Sequence, residues 1–289
     1  MNYHKGDRVR HPTKEEWGVG EVLADSNGDS VKIFFVGAGE KVLALKHVAL
    51  VKVLDAEAVH PVLDNLRISR SSTGIKYQSL PQSIQFFLEL FPGGFYGEKF
   101  HEHERDYKEH AHELGHELLG QRGFADLING NAYGEITKRA LRLVNLTNLI
   151  FPNEKMALKD GLKRSGADCD FSEALYQLLF GKEQLESRFS AFIDVLEELD
   201  AAKWTTATYF LFLMHPAEHM FIKPTITQHA AELCGFEINY RPQLNWLTYK
   251  SVLAFSKYLF SAISDLEPRD MIDVQSFMWC IAPGTYQGA

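Results

Sequence analysis

The chain is poor in cysteine. Cys169, Cys234 and Cys280 are too few and too far apart for a disulfide framework or a CxxC metal knuckle, so three buried, reduced thiols are expected. Long apolar runs are also missing. The longest, FLFLM at 210–214, is far short of the roughly 18 residues a membrane span needs. The N-terminal MNYHKGDRVR lacks the apolar stretch of a secretory signal. These absences predict a cytoplasmic protein without a membrane partner. Positive charge is not in excess either: 30 Lys and Arg face 38 Asp and Glu, a formal net charge of −8. A whole-molecule positive field for coating nucleic acid is thereby excluded, and any such contact must use local patches. No GxxxxGK[ST] phosphate loop, Rossmann glycine set or GxSxG nucleophile elbow occurs. FPGGF at 91–95 and NGNAYG at 129–134 read as turns.

What the chain does have is enough apolar residue, 45% of 289, for a large core divided between two domains. Residues 1–55 hold eight Lys/Arg and eight Asp/Glu, so the excess acid lies wholly in the remainder, with 22 cations against 30 acids. The first segment is punctuated by turns. Short β-prone runs, RVRH, WGVGEVLA, VKIFFV and KVLALK, are separated by PTKEE, DSNGDS and GAGE, where Asn27, Gly28 and the GAG glycines make positive φ cheap. Four or five such strands in so short a length bury both faces only by curling into an SH3-like β-barrel. In VKIFFV, alternation puts Val31, Ile33 and Phe35 on one face and Phe34 on the other, facing outward.

GDRVRH, then WGVGEVL, then VKIFFVGAGEKVLALKHVALVKV resemble the Tudor-like C-terminal module of UvrD/PcrA helicases and, more loosely, the RNA-polymerase-interacting domain of CarD-type transcription factors. The resemblance covers residues 5 to 53. It implies a barrel that docks on protein, RNA polymerase or repair machinery in those families, with nucleic acid a lesser partner. On it, Arg8, Arg10, Trp17, Phe34 and Lys41 are the candidate partner-binding residues. It does not imply helicase activity.

Residues 56–79 read as a solvated linker, with a Ser-Ser-Thr-Gly cluster and local positives at Arg67, Arg70 and Lys76; a phosphate-binding loop is the alternative. From residue 80 to 289 the period becomes helical. Helices are predicted over 81–91, 98–119, 133–149, 153–164, 171–180, 183–200, 204–214, 225–234, 245–265 and 271–281. The expected class is therefore an α+β multidomain chain, a small barrel followed by a larger all-α domain. NLIFPNEKMALKDGL, MFIKPTITQHAAEL and EPRDMIDVQSFMW resemble segments of an uncharacterised bacterial helical family, which implies no chemistry.

The run HELGH at 112–116 has the spacing of a zinc peptidase. On a helix, His112 and His116 stand one turn apart, so both Nε2 atoms can grip one ion while Glu113 polarises its water. A third ligand is required, and Glu135 is the nearby candidate. Against this, Phe100, Tyr107, Ala111, Leu114 and Leu118 define the apolar stripe, and His112 and His116 lie roughly 130° and 170° from its centre. The pair is expected on a solvated face. His103 and His110 flank the stripe, and His110 beside Asp106 reads as a buried, carboxylate-paired imidazole.

In HPAEHMFIKPT, His219 and Lys223 precede a helix start and form a candidate anion pocket. Asp270 and Asp273 have capping spacing; paired metal-binding or acid–base carboxylates are the alternative. The expectation that results is a non-enzymatic bacterial interaction protein, with no cofactor. The alternatives are a zinc hydrolase on HELGH and a nucleic-acid-processing enzyme around His219, Lys223, Asp270 and Asp273.

Overall fold

The computed structural model describes residues 2–67 and 77–286. Arg70 and Lys76 of the expected linker lie outside the described residues. Two compact units emerge: residues 1–90 with 228–238 and 279–289, and residues 91–227 with 239–278.

The first unit carries an antiparallel sheet in the order β4-β3-β2-β1-β5, from β1 (Arg8–Arg10), β2 (Val19–Val22), β3 (Ser30–Phe35), β4 (Gly39–Ala44) and β5 (Val51–Lys52). The turns fall where the glycines put them. Asn27 accepts from the backbone N–H groups of Asp29 and Ser30, with Gly28 at φ 90°, and Gly39 at φ 69° opens β4. Strand alternation sends Val9, Val22, Val31, Ile33 and Phe35 into one core with Tyr3 and Leu50, and the Tyr3 hydroxyl donates to the Leu50 carbonyl at 3.1 Å. Gly20 is required by that core, since a Cβ there would lie 2.6 Å from the Phe35 ring. Unlike the closed barrel expected, the sheet ends at two edges. β5 is two residues long and pairs only with β1, so no ladder joins it to β4 among the described residues.

Residues after β5 do more than link. Following α1 (Pro61–Asp64), Leu66 makes a β-bridge to Phe236, and Arg67 pairs at 2.7 Å with Glu232, which is buried. Helix α2 (Leu80–Leu90) follows.

The second unit is helical. A rod over 98–119 consists of α3 (Glu98–Phe100), one π turn (His101–Arg105) and α4 (Asp106–Leu119). Then come α5 (Gln121–Asn129), α6 (Tyr133–Leu146), α7 (Pro152–Gly161), α8 (Ala167–Phe180), α9 (Leu185–Glu198) and α10 (Trp204–Met214). Helix α11 (Pro224–Leu233), whose residues from 228 onward belong to the first unit, leads on to α12 (Trp246–Ala262) and α13 (Met271–Ile281), whose residues from 279 onward do likewise. α5 was not expected, because Gly120, Gly123 and Gly130 break the sequence pattern around it. Cys234 and Cys280 are buried, whereas Cys169 is half-buried, and all three are free thiols.

Candidate functional site

The rod containing HELGH packs on a different stripe from the one its apolar residues suggest. Its buried positions are Phe100, Glu104, Arg105, Lys108, Ala111, Gly115 and Leu119, a face rotated on average by roughly 70° towards the histidines. Two features of the sequence hide this. Charged residues are buried as satisfied groups: Lys108, 1% exposed, donates to Glu104 at 3.1 Å and to Ser276 at 2.7 Å. Gly115, apolar by having no side chain, is the closest approach, where a Cβ would lie 3.0 Å from Met214 Sδ and 3.4 Å from Leu143 Cδ2.

The histidines therefore flank the contact with α10. His112 is half-buried and its Nδ1 lies 2.6 Å from the Leu213 carbonyl; Nε2 of His116, a residue exposed overall, lies 3.1 Å from the Met214 carbonyl. Those carbonyls end α10, where no further turn supplies N–H groups, so the imidazoles act as C-terminal caps. The rings meet edge-on with centroids 4.7 Å apart. In His116 the atom that a zinc peptidase would use is the one facing a carbonyl. Glu113 is exposed, and Glu135 is held by Arg139 at 2.9 Å. Among the described residues no group of three or more His, Cys, Asp or Glu side chains is placed to hold a metal ion.

A second histidine pair adjoins the end of α10. His215 and His219 have ring centroids 6.2 Å apart, and His215 Nε2 lies 3.1 Å from the Leu179 carbonyl. Burial pushes His219 down to about 4, with repulsion from His215, Arg188 and Lys257 adding to it. Burial also lowers His116 and His215, each helped by a neighbouring imidazole and opposed by its carbonyl partner. His219 is thus neutral at pH 7 and supplies no charge for an anion. It faces the Tyr249 hydroxyl at 3.3 Å, while Lys223 lies over the Phe151 ring at 4.8 Å. Asp270 takes two hydrogen bonds from Arg105, at 2.7 and 2.9 Å, and Asp273 is shared by Arg105 and Arg269. These carboxylates are engaged by guanidiniums. The buried pair expected at His110 does not form: His110 is exposed, and Asp106 meets His101 at 2.9 Å.

On the N-terminal sheet the expected docking residues separate into two groups. Arg8 is consumed within the unit by Glu21 at 2.9 Å and Asp64 at 3.1 Å. Phe34 does face away from the sheet core, as alternation requires, but Tyr77 covers it edge-on at 4.8 Å and it is buried. Arg10 is exposed. Trp17 sits between His11, at 4.9 Å, and Phe35, at 5.2 Å, with Lys41 Nζ 5.7 Å from its ring.

Beside them is a feature the sequence reading missed. Among the described residues β4 is an edge strand, its Val42 is 68% exposed, and it borders a groove of about 450 Å³ lined by His11, Pro12, Thr13, Val42, Val48 and neighbouring residues. The alternation in GEKVLA was the available signal, since it places Glu40, Val42 and Ala44 on one side.

Residues 3–53, which form this sheet and its turns, match the model of a family described as a protein of unknown function, DUF3553. Neither the curated proteins nor the solved structures compared with the chain give a match.

Proposed function

We propose that the protein is a non-enzymatic interaction protein whose N-terminal sheet docks on a protein partner through the β4 edge and the groove beside it. One observation carries this reading: an edge strand with an exposed apolar side chain borders a preformed groove. Exposed edges of this kind can pair with a strand of another chain, which is one established mode of peptide recognition. Trp17 packs against His11 of the groove, with Lys41 beside its ring on the other face of β4 from Val42, and aromatic side chains are usual anchors of such contacts. The resemblance to Tudor-like, SH3-like modules of UvrD/PcrA and CarD proteins points to RNA polymerase or repair machinery as the partner, and to a cytoplasmic site of action. Nucleic acid contact has less support. Arg10 and Lys41 offer local charge, but the segment as a whole is neutral.

The test immobilises the full chain and measures binding of purified bacterial RNA polymerase, with duplex DNA in parallel. Val42→Glu places a charge on the groove without touching the sheet core, and a loss of about tenfold or more is expected. The reading fails if polymerase does not bind, or binds Val42→Glu as well as it binds the wild type.

A further inference from the structure

The helical unit presents a second groove, between α6 and the C-terminal end of α7, and beside it on α6 lies a pocket that shares Lys138 and Arg142 but is also lined by Glu117 and Glu135. The groove has a volume of about 380 Å³ and is lined by Lys138, Arg142, Lys159 and Lys163, with Leu141 and Leu162 between them. No carboxylate and no aromatic ring is among its lining residues. Lys138 and Arg142 are one turn apart on α6, about 6 Å along the axis, while Lys159 lies in the last turn of α7 and Lys163 in the turn that follows it. Two cations from α6 and two from the end of α7 and its following turn thus line one groove with Leu141 and Leu162. Arg142 and Lys159 make no ion pair among the described residues. Lys138 and Lys163 have only exposed partners, Glu135 at 3.8 Å and Asp160 at 2.6 Å, and such pairs hold a side chain weakly.

Four like charges converging on a chain of net charge −8 select a negative ligand. The apolar lining selects further. Single-stranded nucleic acid needs rings on which bases stack, and none lines the groove. A duplex backbone needs a stripe longer than four cations, since such proteins typically neutralise roughly six to ten phosphates. A groove of this size instead accepts one or two apolar side chains. We propose that it docks an acidic peptide segment of a partner protein, an apolar residue seated on Leu141 and Leu162 and flanking carboxylates on the cations beside them. This site is separate from the β4 edge, and its test does not depend on what binds there.

A fluorescein-labelled peptide of repeating Asp-Leu-Glu is titrated with the full chain and followed by anisotropy. Saturable binding is expected, weakened about tenfold or more when Arg142→Glu and Lys159→Glu are combined. Replacing the peptide's leucines with serine should also weaken it. Both substituted positions are exposed on helix surfaces, and the single variant Arg142→Ala, with a smaller loss expected, guards against misfolding of the double variant. The proposal is overturned by any of three results: no saturable binding, equal affinity of wild type and both variants, or equal binding of the serine peptide or a labelled oligonucleotide.

Discussion

Lowering the pH should destabilise this protein through His219 before most of its carboxylates are protonated. An unfolded imidazole titrates near 6.5, whereas burial and nearby cations hold the His219 ring at about 4. Between those values the unfolded chain binds a proton that the folded chain refuses. Stability is therefore level above about pH 6.5 and falls as pH drops through the window. The difference between 6.5 and 4, about 2.5, is worth about 3 kcal/mol in total, and about 2 kcal/mol of it is lost by about pH 5. His116 and His215, also lowered, act in the same direction. His219→Gln retains a polar partner for Tyr249 without a titrating ring. Urea unfolding of both proteins, followed by tryptophan fluorescence at about pH 7.5 and about pH 5, isolates the term because all other groups cancel in the difference. The wild type should lose about 2 kcal/mol more than His219→Gln. Equal losses would show that the His219 ring is hydrated in solution and that its neutral, buried state is wrong.

Substitutions at three further positions probe the packing of the HELGH rod, and all are read by denaturant unfolding. At Gly115, alanine gains helix propensity of about 1 kcal/mol but presses on Met214 Sδ, so Gly115→Ala should be close to neutral. Gly115→Val should cost about 1–3 kcal/mol, because the extra methyl groups meet Met214 and Leu143. Asp273, 0% exposed, is held by two guanidiniums, so Asp273→Ala should cost about 3–5 kcal/mol, and Asp270→Ala, at a more open position, distinctly less.

How far the sequence can be read here depends on what kind of residue carries the information. Elements marked by turn chemistry were legible: Gly28 and Gly39 placed the sheet's turns, and caps and apolar period placed helices such as α10 and α13 at the expected residues. Interfaces built from polar groups were not. Lys108 and Glu104 look solvated in a helical projection, yet each is the other's buried partner and Lys108 also reaches α13's Ser276, on a face roughly 70° from the apolar stripe. The HELGH motif suffers most from that rotation. Its spacing is that of a metal site, but here the two imidazoles lie against the last carbonyls of α10, those of Leu213 and Met214. The same geometric fact, two rings one turn apart, serves zinc coordination or helix capping equally well, so the motif alone carries no chemistry. What separates the uses is which atoms lie opposite the rings, and that is decided by a helix a hundred residues further along the chain.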